Sequence, residues 1–320
     1  MSDTVIGIRH ISEFRPSGRL ENPEIAARFG FEELFLSRKI GIESRPIAGD
    51  DEFASDLACA AVKKLVDESG LSLDAIDCLV VVTQTPDRLL PNVASVVHGK
   101  LGLPPHVAGF DINLGCSGFV YGLSAIVGFM AANGLSNGVL VTAETYSKIM
   151  DPEDRNTIPL FGDAATATWI TDDDPQYAIG MGGFGTEGAG ESVVYHSGKV
   201  GADGVLVMDG REIFNFMMRS VPGALDDCLA KNGLKREDVG LWAFHQASRF
   251  MLESLIKRLG IDKETAPIDV VESGNTVSST IPYVLSRHVF AAAAQDRPDV
   301  MVICGFGVGL SWGVNVLRKI

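Results

Sequence analysis

Four short runs of uninterrupted apolar residues punctuate the chain: Cys78 to Thr83 (CLVVVT), Val139 to Thr142 (VLVT), Leu241 to Phe244 (LWAF) and Val300 to Cys304 (VMVIC). None alternates apolar with polar positions, the signature of strands buried on both faces beneath helices. Between them apolar residues recur at helical spacing. Phe53 to Ser69 predicts a helix stopped by Gly70, Ala224 to Asn232 one stopped by Gly233, and Phe250 to Leu259 one stopped by Gly260. Glycine closes helices because it takes the left-handed conformation cheaply. The most apolar long segment, Phe119 to Leu135, has 17 residues and is interrupted by Gly122 and Gly128. That is short for a membrane span and predicts a helix buried inside the protein.

The order of elements repeats. Helix 53–69 leads into GLSLDAIDCLVVVTQ, and helix 224–232 leads into GLKREDVGLWAFHQ. Each is a helix, Gly-Leu, acidic residues, then a buried strand ending near Gln84 or Gln246. A glycine-flanked loop and apolar helix (LGCSGFVYGLSAIVGF) precedes strand 139–142, and a second (SGNTVSSTIPYVLSRHVF) precedes strand 300–304. An internally duplicated α/β unit explains this order economically. The polar turn Asp172 to Pro175 places the join, giving expected halves of 1–172 and 173–320.

A length of 320 residues suits two such units. The formal charge of −14 repels phosphate backbones, so nucleic acid is not an expected partner. The five cysteines (Cys59, Cys78, Cys116, Cys228, Cys304) show no metal-site or CxxC spacing. The opening MSDTVIGIRHISEF lacks a basic stretch followed by an apolar core, so a reducing cytoplasmic location away from membranes is expected.

Cys116 stands apart, in Asn113-Leu-Gly-Cys-Ser-Gly118 just before the apolar helix. Unpaired N–H groups at a helix N-terminus favour an anion, so a lowered thiol pKa and a nucleophilic role are expected, against the plainer reading of a buried structural cysteine. His245 closes strand 241–244, where α/β proteins usually bind ligands. Asn275, in Ser273-Gly-Asn-Thr276, reads alone as a helix cap. Within the duplication it occupies the loop equivalent to that of Cys116, so the three residues are expected to converge. Gly305-Phe-Gly-Val-Gly-Leu-Ser-Trp-Gly313 lacks the Lys-Ser/Thr of a phosphate loop. With Trp312 to Leu317 read as a strand, it predicts a tight strand–loop–strand whose N–H groups form an oxyanion hole.

Gly-Cys-Ser-Gly, His-Gln-Ala-Ser, Gly-Asn-Thr and the last glycine-rich loop, together with Asp151-Pro-Glu-Asp-Arg155 and Phe161-Gly-Asp163, resemble β-ketoacyl-acyl-carrier-protein synthase III of the thiolase superfamily. The resemblance runs from about Ile6 to Arg318. It implies an α/β, thiolase-like fold of duplicated α-β-α-β-α layers with buried mixed sheets, and a homodimer. It implies a catalytic triad of Cys116, His245 and Asn275. The implied reaction is a decarboxylative Claisen condensation of an acyl-coenzyme A primer with malonyl-acyl carrier protein. Cys116 carries the acyl group, His245 and Asn275 donate to the enolate, and N–H groups of Cys116 and of the Gly307-Val308-Gly309 turn hold the second oxyanion. Coenzyme A thioester is substrate, and no resident cofactor or metal is implied.

The resemblance also implies coenzyme A or carrier contacts at Phe35, Lys39, Arg155, Ser248, Arg249, Lys257 and Arg258. Phe35 and Lys39 stand where relatives often carry Trp and Arg, and Phe250 stands where a basic residue is usual. Leu90 aligns with a loop residue that reaches the partner's acyl tunnel, and Phe306 stands at the acyl pocket where a thiolase carries a second cysteine. The alternatives weighed are a starter-unit acyltransferase, a specialised-metabolism ketosynthase of the same family, and a non-catalytic carrier-binding subunit.

Overall fold

The computed structural model describes residues 5–199 and 202–320. In chain order the strands are β1 Gly7–Phe14, β2 Gly18–Glu21, β3 Ser44–Ile47, β4 Cys78–Val82, β5 Ala108–Ile112, β6 Asn137–Glu144, β7 Ala164–Thr171, β8 Tyr177–Ile179, β9 Gly183–Thr186, β10 Val194–His196, β11 Leu206–Met208, β12 Leu241–Phe244, β13 Val300–Gly307 and β14 Ser311–Lys319. The α-helices are α1 Asn22–Phe29, α2 Glu33–Phe35, α3 Ala54–Ser69, α4 Val93–Leu101, α5 Gly118–Asn133, α6 Gly210–Lys231, α7 Arg249–Leu259 and α8 Thr280–Leu285.

The apolar runs form β4, β6, β12 and β13, toward the two ends of a ten-stranded mixed sheet ordered β12-β13-β14-β8-β1-β7-β6-β4-β5, with β9 on β14. The repeat is visible in the pairing. Strand β4 is parallel to β6, which is antiparallel to β7; β12 is parallel to β13, which is antiparallel to β14. Short β8 joins the two sets by pairing with both β1 and β14. Helices α5 and α8 lie between them: α5 touches β4 and β6 on one side and β13 and β14 on the other, and α8 touches β1, β7, β12 and β13. Helices α3 and α4 cover the outer face of one set, and α6 with α7 that of the other. The result is five layers, α-β-α-β-α, as expected.

The expected elements match within a few residues: β12 coincides, β6 and β13 run longer, and β4 and α3 are one residue shorter. One differs more. The helix read at 224–232 starts at Gly210, because Asp209 caps it by accepting from the N–H groups of Arg211 and Glu212. Pro222 and Gly223 read as a break, yet the first turns bury Phe216, Met217 and Val221, and that burial offsets the one N–H a proline removes. Helix α5 ends at left-handed Gly134, and only one of its faces is buried: Ala125, Gly128, Ala131 and Ala132 are exposed in the single chain. No helix of the described residues is long and apolar enough to cross a membrane.

Candidate active site

The two pseudo-equivalent helix starts meet end to end. Ser117 precedes α5, and Val277–Ser279 forms a short 3-10 turn before α8. Cys116, His245 and Asn275, 8%, 2% and 6% exposed, line one cavity. Each is fixed from behind. Gly305 of β13 packs on the Cys116 backbone so closely that a Cβ there would lie 2.4 Å from the Cys116 carbonyl oxygen. His245 follows the last residue of β12, takes the β13 carbonyl of Cys304 through its backbone N–H at 2.8 Å, and meets Phe306 edge-on at 5.5 Å. Asn275 is laced to the Phe161 segment: its N–H donates to Leu160 O at 2.8 Å, and its carbonyl accepts from Gly162 N–H at 3.1 Å. Its side-chain Oδ1 accepts from the Val277 N–H at 2.9 Å, which leaves the side-chain NH₂ free to donate.

The turn 307–309 closes the cavity beside Cys116. Gly307 has its Cα hydrogens turned to Cys116, so that a Cβ would sit 2.8 Å from the sulfur. The N–H groups of Val308 and of Cys116 itself point at that sulfur. These donors lie beside the acyl carbon that the sulfur would carry, and an oxyanion hole forms where such N–H groups reach the oxygen on that carbon.

The electrostatics correct one expectation. Burial pushes the Cys116 thiol up to about 12, nearby Glu144 adds to the rise, and the two N–H groups only partly oppose it. The N–H groups at the helix start do not give a resting thiolate, because desolvation of the buried sulfur outweighs them. Burial likewise pushes the His245 imidazole down to about 3, so the ring is neutral at physiological pH. A neutral thiol beside a neutral imidazole is the resting pair.

The remaining expected residues divide. Ser248 lines the cavity and caps α7, and Phe306 forms its wall. At the mouth, Phe35 and Arg155 line a neighbouring groove. Phe31 stacks on Phe35 at 5.6 Å, and the Arg155 guanidinium lies over Phe31 at 4.8 Å. Lys39 is exposed and lines neither hollow. Arg249 lies flat against Gly41 at the start of α7, whereas Lys257 and Arg258 stand exposed in its last turn, ~12 Å further along at 1.5 Å per residue. Phe250 is exposed beside Arg249 and stacks on Phe214 at 5.5 Å. Leu90 is 83% exposed and outside the cavity of its own chain. The sequence reading passed over Tyr146, a cavity wall packed on Phe161 at 5.1 Å, Thr280, 2.8 Å from His245 Nδ1, and Glu144, fully buried behind Cys116.

Residues 110–188 match the sequence profile of 3-oxoacyl-[acyl-carrier-protein (ACP)] synthase III, and residues 229–319 match its C-terminal counterpart. The β-ketoacyl-[acyl-carrier-protein] synthase III of Staphylococcus saprophyticus is 33% identical over 98% of both chains.

This chain belongs to the 3-oxoacyl-[acyl-carrier-protein] synthase III family.

The expectation of an acyltransferase of ketoacyl-synthase type is thereby met, and with it the thiolase-like fold. The solved 3-oxoacyl-(acyl carrier protein) synthase III of Pseudomonas aeruginosa superposes with a TM-score of 0.91 at 29% identity, covering 98% of each chain. The priming β-ketosynthase of the R1128 polyketide biosynthetic pathway, 27% identical, superposes with a TM-score of 0.90 over 98% of this chain and 96% of that one.

Proposed function

We propose that this synthase III condenses an acyl-coenzyme A primer with malonyl-acyl carrier protein, for fatty acid biosynthesis. In the first half-reaction the Cys116 sulfur attacks the primer's thioester carbon. The Cys116–acyl bond forms, coenzyme A leaves, and the thiol proton ends on its sulfur. In the second, malonyl loses carbon dioxide, and the electron pair of the broken bond moves into an enolate. The enolate carbon attacks acyl-Cys116, the Cys116 sulfur departs and takes a proton from water, and 3-oxoacyl carrier protein results.

The observation that carries this reading is the shared cavity in which Cys116, His245 and Asn275 meet the Val308 N–H. With Oδ1 held by Val277, the Asn275 NH₂ is the donor left for the malonyl thioester carbonyl, beside His245 Nε2. The Cys116 and Val308 N–H groups serve the oxyanion on the acyl carbon. Neither His245 nor Asn275 brings a negative charge that would oppose an enolate.

Other parts of the reading rest on shape. Arg249, Lys257 and Arg258 on α7 offer positive charge to an acidic carrier, with Phe250 and Phe214 as an apolar step at the mouth. A homodimer fits the unpaired outer edge of β5 and the bare face of α5, and Leu90 of one copy would then reach toward the other. The two halves divide at the turn 172–175, between β7 and β8. All five cysteines are free, which supports a reducing cytoplasm. The likeness to a polyketide-priming enzyme favours one second reading, a specialised-metabolism priming role. Intact-mass measurement of Cys116 acylation, paired with carbon dioxide release from malonyl carrier protein, tests the proposal. Acylation without carbon dioxide release leaves a starter-unit acyltransferase instead.

A further inference from the structure

Glu144 closes β6 with its side chain fully buried, a costly place for a carboxyl group unless its neighbours are arranged for it. They are. Oε2 accepts from the Gln84 N–H and from the Thr85 hydroxyl, both at 3.1 Å, and Oε1 accepts from the Ser278 hydroxyl at 2.8 Å. These partners come from opposite halves of the fold. We propose that Glu144 is a positioning residue, whose carboxyl group fastens the Asn275 loop to the turn that backs the Cys116 loop. This rests on the reading that Asn275 and Cys116 face one substrate.

On one side, Ser278 lies three residues past Asn275. Between them Val277 is held at φ 55°, a left-handed conformation that a β-branched residue avoids. Its N–H must point at Asn275 Oδ1 for the amide to present its NH₂ to the cavity. Such a conformation persists only where the surroundings over-determine it, and the Glu144–Ser278 bond is one of the constraints. On the other side, Gln84 turns its Oε1 to the Tyr146 hydroxyl at 2.8 Å and lies so near Gly115 that a Cβ there would approach it to 2.3 Å. Moving Glu144 therefore moves Gln84, which abuts the residue before the nucleophile.

The carboxyl group also has an electrical consequence. Burial pushes it up to about 8, against the three hydrogen bonds, with Asp163 adding to the rise. It is then mainly neutral at pH 7 and ionised above about 8. The titratable groups that face it are Cys116, Tyr146 and Asp163. An ionised Glu144 places negative charge behind a sulfur and an enolate that both become negative during reaction. Turnover is then lost as pH rises through the Glu144 pKa, before the Cys116 thiol titrates.

The test compares wild type with Glu144→Gln, Glu144→Ala and Ser278→Ala. Cys116 acylation by acyl-coenzyme A is read by mass, and carbon dioxide release from malonyl carrier protein is followed between pH 6.5 and 9.5. Wild-type decarboxylation is expected to fall above about pH 8. Glu144→Ala is expected to lose decarboxylation by on the order of 10- to 100-fold, with acylation falling less. Glu144→Gln, which keeps the shape without the charge, recovers most of that rate and abolishes the alkaline fall. Ser278→Ala, which removes one bond, splits the two activities in the same sense should Glu144→Ala not fold. An alkaline fall unchanged in Glu144→Gln, or equal losses of both activities in Ser278→Ala, overturns the proposal. A wild-type protein with neither activity overturns the functional reading first and this inference with it.

Discussion

The Thr280 hydroxyl oxygen lies 2.8 Å from His245 Nδ1 and 3.0 Å from the carbonyl oxygen of Val277. Its single hydrogen can serve only one of them, and the Thr280 backbone N–H already reaches that carbonyl. When the hydroxyl donates to Nδ1, the ring proton sits on Nε2 and faces the cavity as a donor. Decarboxylation needs the tautomer with the proton on Nε2, which Thr280 supports by donating to Nδ1 rather than to Val277. Thr280→Val is expected to lower carbon dioxide release about 10- to 100-fold, the range for a misdirected donor, while Thr280→Ser restores it. Cys116 acylation changes less. Equal decarboxylation by Thr280→Val and wild type would show that the tautomer is set elsewhere.

Two glycines of β13 make a contrasting pair. A Cβ on Gly305 meets the Cys116 carbonyl oxygen at 2.4 Å and the Ser117 Cα at 2.7 Å, both backbone. A Cβ on Gly307 meets only the Cys116 sulfur and Cβ, at 2.8 and 2.9 Å. Gly305→Ala must push two main chains apart and is expected to cost about 2–3 kcal/mol of stability, as overpacking does. Gly307→Ala is expected to lose stability too, because Gly307 holds φ 157°, a conformation an L side chain rarely adopts. It is also expected to lose acylation at least 10-fold, because its Cβ displaces the reacting sulfur, whereas Gly305→Ala displaces main chain. Calorimetry beside the acylation assay reads both effects, and full acylation by folded Gly307→Ala would mean that the sulfur gives way without cost.

The resting thiol makes a prediction opposite to a low-pKa nucleophile. With burial holding Cys116 up to about 12, the thiolate fraction rises tenfold per pH unit and does not saturate near neutrality. Alkylation by iodoacetamide, scored by mass at Cys116, should therefore keep accelerating between pH 7 and 10. The neutral imidazole adds no acid limb above pH 5, since burial holds His245 down to about 3. A plateau in alkylation by pH 8 would instead establish a thiolate stabilised by the helix start.

The sequence made Cys116, His245 and Asn275 conspicuous because each interrupts a strong local pattern. Cys116 and Asn275 stand in glycine loops that open apolar helices, and His245 ends a run with no other polar residue. Their meeting was legible only through the repeat, which equated two loops about 160 residues apart in the chain. The thiol's true electrostatics were not legible, since they depend on Gly305 and Gly307 closing over it from the far end of the chain. Glu144 was hidden for a related reason. One acid after an apolar strand looks like a solvated strand end until Ser278 arrives from the other half. The start of α6 at Gly210 lay outside the expected helix 224–232; it rests on the Asp209 cap and on the burial of Phe216, Met217 and Val221.

The aromatic stack at the cavity mouth yields a prediction about how the primer is held. Phe35 and Arg155 are the expected contacts of coenzyme A, yet Phe31 engages both, stacked on Phe35 at 5.6 Å and lying under the Arg155 guanidinium at 4.8 Å. A flat base seeking those surfaces must displace Phe31. Giving up one ring pair and one cation–π contact costs about 1–2 kcal/mol, which is on the order of a 5- to 30-fold weakening in binding. Phe31→Ala removes that competition. Its KM for acyl-coenzyme A in the acylation half-reaction is expected to fall several-fold at unchanged kcat, and Arg155→Ala is expected to raise KM. A primer offered on a carrier protein has no adenine, so its KM should be indifferent to both substitutions. If Phe31→Ala raises KM instead, the Phe31 ring is itself the surface on which the base stacks.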